Sequence, residues 1–259
     1  MQGKVLLPLD SSECSLKAFI PAKSIAEMLD MHLYIVQIGA EIRVDTNELE
    51  CFMVSRRSGV AEDIIIEESN NCDYVVMGTD IASKTGYIVE NIHKPILLIK
   101  PDACLNIKDN KWIPHKALIP LNGAPGSAQA YTPAMRILAK TCAEIELLHV
   151  FHEKTEPIKE IGGFSAPYYV DFPQHEWPSW SKEFLRRFCP VLENHNYIKL
   201  GVTAAKGDPA DEILAFAEKN ANDFIAIAWH GTMSEFRALT LKRILAKTKC
   251  PIMLIKIKD

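Results

Sequence analysis

Four places in this 259-residue chain carry side chains able to do chemistry. His149, His152 and Glu153 end an apolar run that begins at Ile145. Side chains alternate along a strand, so His149 and His152 face opposite ways while the strand lasts. A metal site there needs the chain to bend and to recruit His175 or His230; the competing reading is an ordinary polar strand end. Trp229 and His230 close another apolar run, at the kind of strand end where open α/β sheets bind ligands. His230 could stack on a small ligand or hydrogen-bond to one, or it could simply pack on Trp229. Cys14 falls at a helix start, where the dipole lowers a thiol pKa, which would make it the most reactive thiol. The alternative is a buried helix cysteine. Asp10 and Ser12 follow the first apolar run, and such residues cap helices. The chain has no G-x-S-x-G elbow, no H-E-x-x-H and no P-loop, so no catalytic residue and no metal ligand is assigned.

The elements that must position these residues occur twice. Lys4, Val5, Leu6, Leu7, Pro8, Leu9 and Asp10 return as Lys116, Ala117, Leu118, Ile119, Pro120, Leu121 and Asn122. The match continues without a gap through Ser15 with Ser127, Pro21 with Pro133 and Ile25 with Ile137. A short apolar run, small polar residues, a helix-length stretch and a second apolar run predict β-loop-α-β, the start of a doubly wound fold. Ser12 and Gly126 with Ser127 are candidate helix starts. Pro21 and Pro133 lie inside the helical stretch, so both copies should share a break. The later parts repeat as well. Gly207, Asp208, Pro209 and Ala210 match residues 58–61, and Asp208 followed by Pro209 is a strong helix-start pair. Buried strands are expected at 73–77 and 223–227, and closing strands after Pro95 and Pro251.

Bulk properties set outer bounds. The net charge is −4 with acids and bases interspersed, which gives no basic stripe for nucleic acid and no polybasic arm for membrane. Seven cysteines without a C-x-x-C pair read as reduced thiols of a cytoplasmic protein. The N-terminus enters a strand at once, unlike a secretory signal, and no apolar run approaches the roughly 20 residues of a membrane helix.

These residues resemble the universal stress protein family, over nearly the whole chain and as two tandem domains. The carriers are the opening Leu7, Pro8, Leu9, Asp10 with Ser12; Gly207 to Ala210 before a helix; the strand end from Asp73 to Gly78; and the closing Cys250 to Ile255. The resemblance implies two open parallel five-stranded doubly wound domains of the adenine nucleotide alpha hydrolase-like type, related by a pseudo-twofold axis. Domains are expected at 1–101 and 116–259, with a linker at 102–115 in which Trp112 and Ile113 pack down. An unpaired apolar edge strand invites aggregation. The resemblance implies that the last strand pairs antiparallel with its equivalent, so residues 95–100 and 251–256 should hold an intramolecular domain pair. A homodimer is a further partner the sequence allows.

Some members of that family bind ATP and others do not. In binders, an Asp ending the first strand and a residue near the end of the second hold adenosine. A glycine loop after the fourth strand then cradles phosphate. Asp10, Ser12, Ile38, Gly78 and Ser83 fall on such positions in the first half, and Asn122, Val150 and Gly231 in the second. Thr79, Asp80 and Ile81 alone separate Gly78 from Ala82 and Ser83, and six residues separate Gly231 from Ala238 and Leu239. Both loops are short and glycine-poor, and Asp80 and Glu235 add negative charge. The expectation is that no cofactor binds; the alternative is ATP or AMP in the first half through Asp10, with at most slow hydrolysis.

The halves also differ in length. About fifty residues separate the second and third strands of the second half, including a Pro- and aromatic-rich insertion at 151–178 and an amphipathic helix carrying Trp180, Phe184, Leu185, Phe188 and Leu192. The first half has about ten, 40–48, too few for a covering helix. Phe164, Tyr168, Tyr169, Phe172, Trp177 and Trp180 could cover that sheet, make a dimer contact or close a lid. Together these readings favour a non-catalytic stress-response or regulatory protein, acting through protein contacts or a small ligand near Trp229 and His230.

Overall fold

The structure, a computed structural model, describes residues 2–10, 12–39, 52–79, 83–121, 130–141, 144–151, 200–233 and 238–257. The first half runs β1 (Lys4–Leu9), α1 (Glu13–Lys17), α2 (Phe19–Leu29), β2 (His32–Ile38), β3 (Phe52–Arg57), α3 (Ala61–Ser69), β4 (Tyr74–Gly78), α4 (Ser83–Asn91) and β5 (Ile96–Ile99). A hairpin of β6 (Ile107–Lys108) and β7 (Lys111–Trp112) follows. The second half runs β8 (Lys116–Leu121), α5 (Thr132–Thr141), β9 (Glu144–Phe151), β10 (Leu200–Lys206), α6 (Pro209–Lys219), β11 (Phe224–Trp229), α7 (Leu239–Lys247) and β12 (Ile252–Lys256). The amphipathic helix near 180–192, the 151–178 insertion and the 40–48 segment lie outside the described residues, as do Gly126 and Ser127.

Ten strands form one sheet in the order β10-β9-β8-β11-β12-β5-β4-β1-β2-β3. Read inward from its outer edge, each half has its third, second, first, fourth and fifth strands side by side, all parallel. That arrangement is the mostly parallel α/β sheet the repeat predicts. Strand residues alternate between two apolar layers. Val5, Leu7 and Leu9 join α2, α5 and the hairpin on one face. Leu6, Val75 and Met77 join α3, α4, α6 and α7 on the other. A strand buried on both faces needs apolar residues at successive positions, which is why these segments read as unbroken runs. Each fully buried Leu, Ile or Val contributes about 1.5–3 kcal/mol over an exposed one.

The helix starts follow their sequence signals. Ser12 caps α1, its Oγ accepting from Ser15 N at 3.2 Å. Asp208 caps α6, accepting from the Ala210 and Asp211 amides at 3.0 and 3.1 Å, with Pro209 next in the chain. The breaks in the first helices fall before the prolines, not at them. In the first half the turn is at Ala18, and Pro21 is the third residue of α2. In the second it is at Tyr131, and Pro133 is the second residue of α5. A proline in the first turn gives up an N–H that has no partner within its helix, so each proline starts a helix without bending one.

Antiparallel pairing of β5 with β12 joins the halves, with Ile96 opposite Leu254, Leu97 opposite Met253 and Leu98 opposite Ile252. Leu97 and Met253 are equivalent in the repeat, so the local twofold passes between them. A lysine ends each of these segments. Lys100 Nζ donates to Ala246 O at 2.9 Å and Thr248 O at 3.0 Å, at the end of α7. Lys256 Nζ donates to Glu90 O at 3.0 Å, in the last turn of α4. Each half therefore supplies a cation to the negative end of the other half's last helix. The hairpin is anchored through Trp112, while residues 107–111 stay exposed. Trp112 is completely buried, its ring 5.9 Å from that of Phe224, and its amide donates to Ser24 Oγ at 2.8 Å.

Candidate functional site

In each half, the first and fourth strands leave a crevice at their carboxyl ends because the connections diverge there, and open α/β sheets bind ligands in that place. In the first half β1 lies between β2 and β4, with Leu9 level with Gln37. Asp10, Ile38 and Gly78 therefore share one end of three neighbouring strands. Asp10 is exposed, but its carboxylate already has partners. Oδ1 accepts from Ser12 N at 2.9 Å and from Ser12 Oγ. Partial burial raises its pKa, yet the Ser12 and Ser15 hydrogen bonds outweigh this and hold the carboxyl below its usual range. Ser15 Oγ then donates to Asp10 O at 2.8 Å, closing the β1–α1 turn.

Gly78 answers to packing. A Cβ there would sit 2.0 Å from Cys14 O and 2.7 Å from Ser15 N, both backbone atoms of α1. Glycine is required so that α1 can lie across the end of β4. Thr79 follows and turns inward: its amide donates to Ile99 O at 2.8 Å, and its buried hydroxyl bonds that of Thr85 in α4. The chain thus folds directly from β4 into α4. Ser83 is the first residue of α4, while Asp80, Ile81 and Ala82 lie outside the described residues. Cys14 Sγ, half-buried, donates to Ile99 O at 3.5 Å.

The second half holds a cleft at the equivalent strand ends. It measures about 650 Å³ and is lined by Leu121, Val150, Ile213, Trp229, His230 and Thr240, among others. The walls are mainly apolar, as in small-molecule sites that fix orientation with few polar groups. Its floor is Tyr131, which the sequence reading passed over. The buried hydroxyl donates to Pro120 O at 2.7 Å and accepts from Ala228 N at 3.2 Å, joining the ends of β8 and β11. His149 stands at the end of β9 with Nδ1 2.9 Å from Leu121 O. A carbonyl can only accept, so Nδ1 carries the proton. Burial lowers the His149 pKa, and the Leu121 hydrogen bond only partly offsets that.

Val150 lines this cleft, while His230 is exposed at its mouth. Gly231 has φ +78°, and a Cβ would meet Lys256 Cε at 1.9 Å; its freedom serves the turn that lets Lys256 pass beneath. Ala238 keeps a left-handed backbone, φ 55° and ψ 29°, ahead of α7, although it has a Cβ. Asn122, His152, Glu153, His175 and Glu235 lie outside the described residues. No group of three or more metal-ligating side chains occurs among the described residues, and no helix among them is long and apolar enough to cross a membrane.

The strand order defines the class as an open, doubly wound α/β protein with a switch point between the first and fourth strands of each half. Within that class, the sequence profile of the universal stress protein family matches residues 114–256, more than half of the chain, and the chain belongs to that family. A universal stress protein of Bacillus subtilis, YxiE, is 26% identical over 152 residues, which cover 55% of this chain and 99% of that one. A universal stress protein structure from Archaeoglobus fulgidus matches 99% of this chain and 97% of its own, at 18% identity and a TM-score of 0.67. A putative one from Pseudomonas aeruginosa matches 98% and 93%, at 14% identity and a TM-score of 0.62. Both share the fold along nearly the full length.

Proposed function

We propose that this universal stress family protein is a tandem, non-catalytic cytoplasmic regulator. In this reading its two halves form an intramolecular pair through β5 and β12, and it works by protein contacts or by a small ligand in the second half's cleft. Neither half holds ATP. One observation carries the reading: the two described glycines at phosphate-loop positions, Gly78 and Gly231, are taken up by the packing and turns of the scaffold. Gly78 serves the approach of α1, Gly231 serves Lys256, and Thr79 closes onto Thr85. Phosphate binding needs free backbone N–H groups at such a turn, and Thr79 N is bonded to Ile99 O.

A thermal melt with magnesium ATP or AMP at millimolar concentration tests this. No change in Tm is expected; a rise of several degrees would overturn it. The second reading is residual ATP or AMP binding in the first half. It is favoured by the exposed, ionised Asp10 at the carboxyl end of β1. Under that reading Asp10→Ala abolishes the rise.

A further inference from the structure

We infer that Cys104 and Cys250 form a dithiol site that peroxide oxidises to an intramolecular disulfide. Cys104 is exposed, in the segment after β5, and Cys250 lies just before β12. The Cys104 amide donates to Lys249 O at 2.9 Å, so the two cysteines sit one peptide unit apart across a backbone hydrogen bond. Peptide dimensions then keep their α-carbons within roughly 7 Å, the reach of a disulfide. Both thiols line one cleft of about 610 Å³, together with Asn222, Asp223, Thr248 and Lys249.

Their environments assign the roles. Cys250 Sγ donates to Asn222 O at 2.8 Å, and burial pushes its pKa up, so it stays a protonated thiol. Cys104 is the sulfur that meets solvent. Its thiolate attacks the O–O bond of hydrogen peroxide, becomes a sulfenic acid and releases one water once protons are counted. The Cys250 sulfur then attacks the sulfenic sulfur, expels the second oxygen as water and gives up its own proton. The balance is two thiols and one peroxide to one disulfide and two waters. The bond would fasten the chain after β5 to the chain before β12, beside the junction of the halves.

Treating the reduced full-length chain with hydrogen peroxide, blocking free thiols and mapping unreduced peptides by mass spectrometry tests this. The expected result is one linked pair holding Cys104 and Cys250, with a mass lower by two hydrogens, absent in Cys104→Ser. Cys104 is exposed, so that variant should fold; its circular dichroism spectrum and melt check this. Recovery of Cys104 as sulfinic or sulfonic acid with Cys250 free, linkage of Cys104 to another cysteine, or both thiols left unoxidised would overturn the inference.

Discussion

Gly78 looks like part of a ligand loop, and packing already requires a glycine there. Sequence spacing placed it at the first glycine of a phosphate loop, while the structure puts the α1 backbone 2.0 Å from where its Cβ would be. Backbone cannot step aside as a side-chain tip can, so Gly78→Ala should cost about 3 kcal/mol or more, or prevent folding, as measured by urea unfolding. His149 makes a prediction about pH. Burial holds its folded pKa below the unfolded value of about 6.5. The unfolded chain therefore binds the extra proton first, and stability rises with pH across that window. The contribution is complete above about pH 6.5 and is lost as pH falls through the folded pKa. His149→Asn keeps a donor near Leu121 O without the titration, so its stability relative to the parent should improve from pH 7.5 to pH 5. A difference that does not change with pH would contradict this.

Elements were legible where their signals were local. Unbroken apolar runs marked the strands, and Ser12 and Asp208 marked helix starts, because capping is decided within three or four residues. Pro21 and Pro133 were placed correctly but read as breaks, since sequence alone does not say whether a proline is in a helix interior or its first turn. Tyr131 was missed because its role depends on two carboxyl strand ends that only the folded sheet brings together. The Lys100 and Lys256 signal was present, a lysine after both closing apolar runs, but its target lies in the other half. At this scale the hairpin makes a prediction. Trp112 is wholly buried in a segment whose composition reads as linker, so Trp112→Ala should cost about 3–5 kcal/mol by denaturant unfolding. A true linker would lose well under 1 kcal/mol.

At the scale of the whole molecule, the halves share both apolar layers as well as one sheet. Pairing β5 with β12 covers two edges that would otherwise template association, leaving β3 and β10 outermost. The reciprocal lysines reinforce this junction. Lys100→Met and Lys256→Met should each lower unfolding stability by about 1–2 kcal/mol, because each removes a charge-assisted hydrogen bond to helix-end carbonyls. If only one has an effect, the junction is not symmetric in energy.

Gly78 and Gly231, at positions of nucleotide-loop type, pack within the scaffold, and on the proposed reading neither half holds ATP. Native mass spectrometry of the full-length chain, first as purified and then with millimolar magnesium ATP, tests it most directly. The expected result is the mass of the chain without a stoichiometric nucleotide in either sample. A one-to-one ATP or AMP adduct that disappears in Asp10→Ala would contradict it.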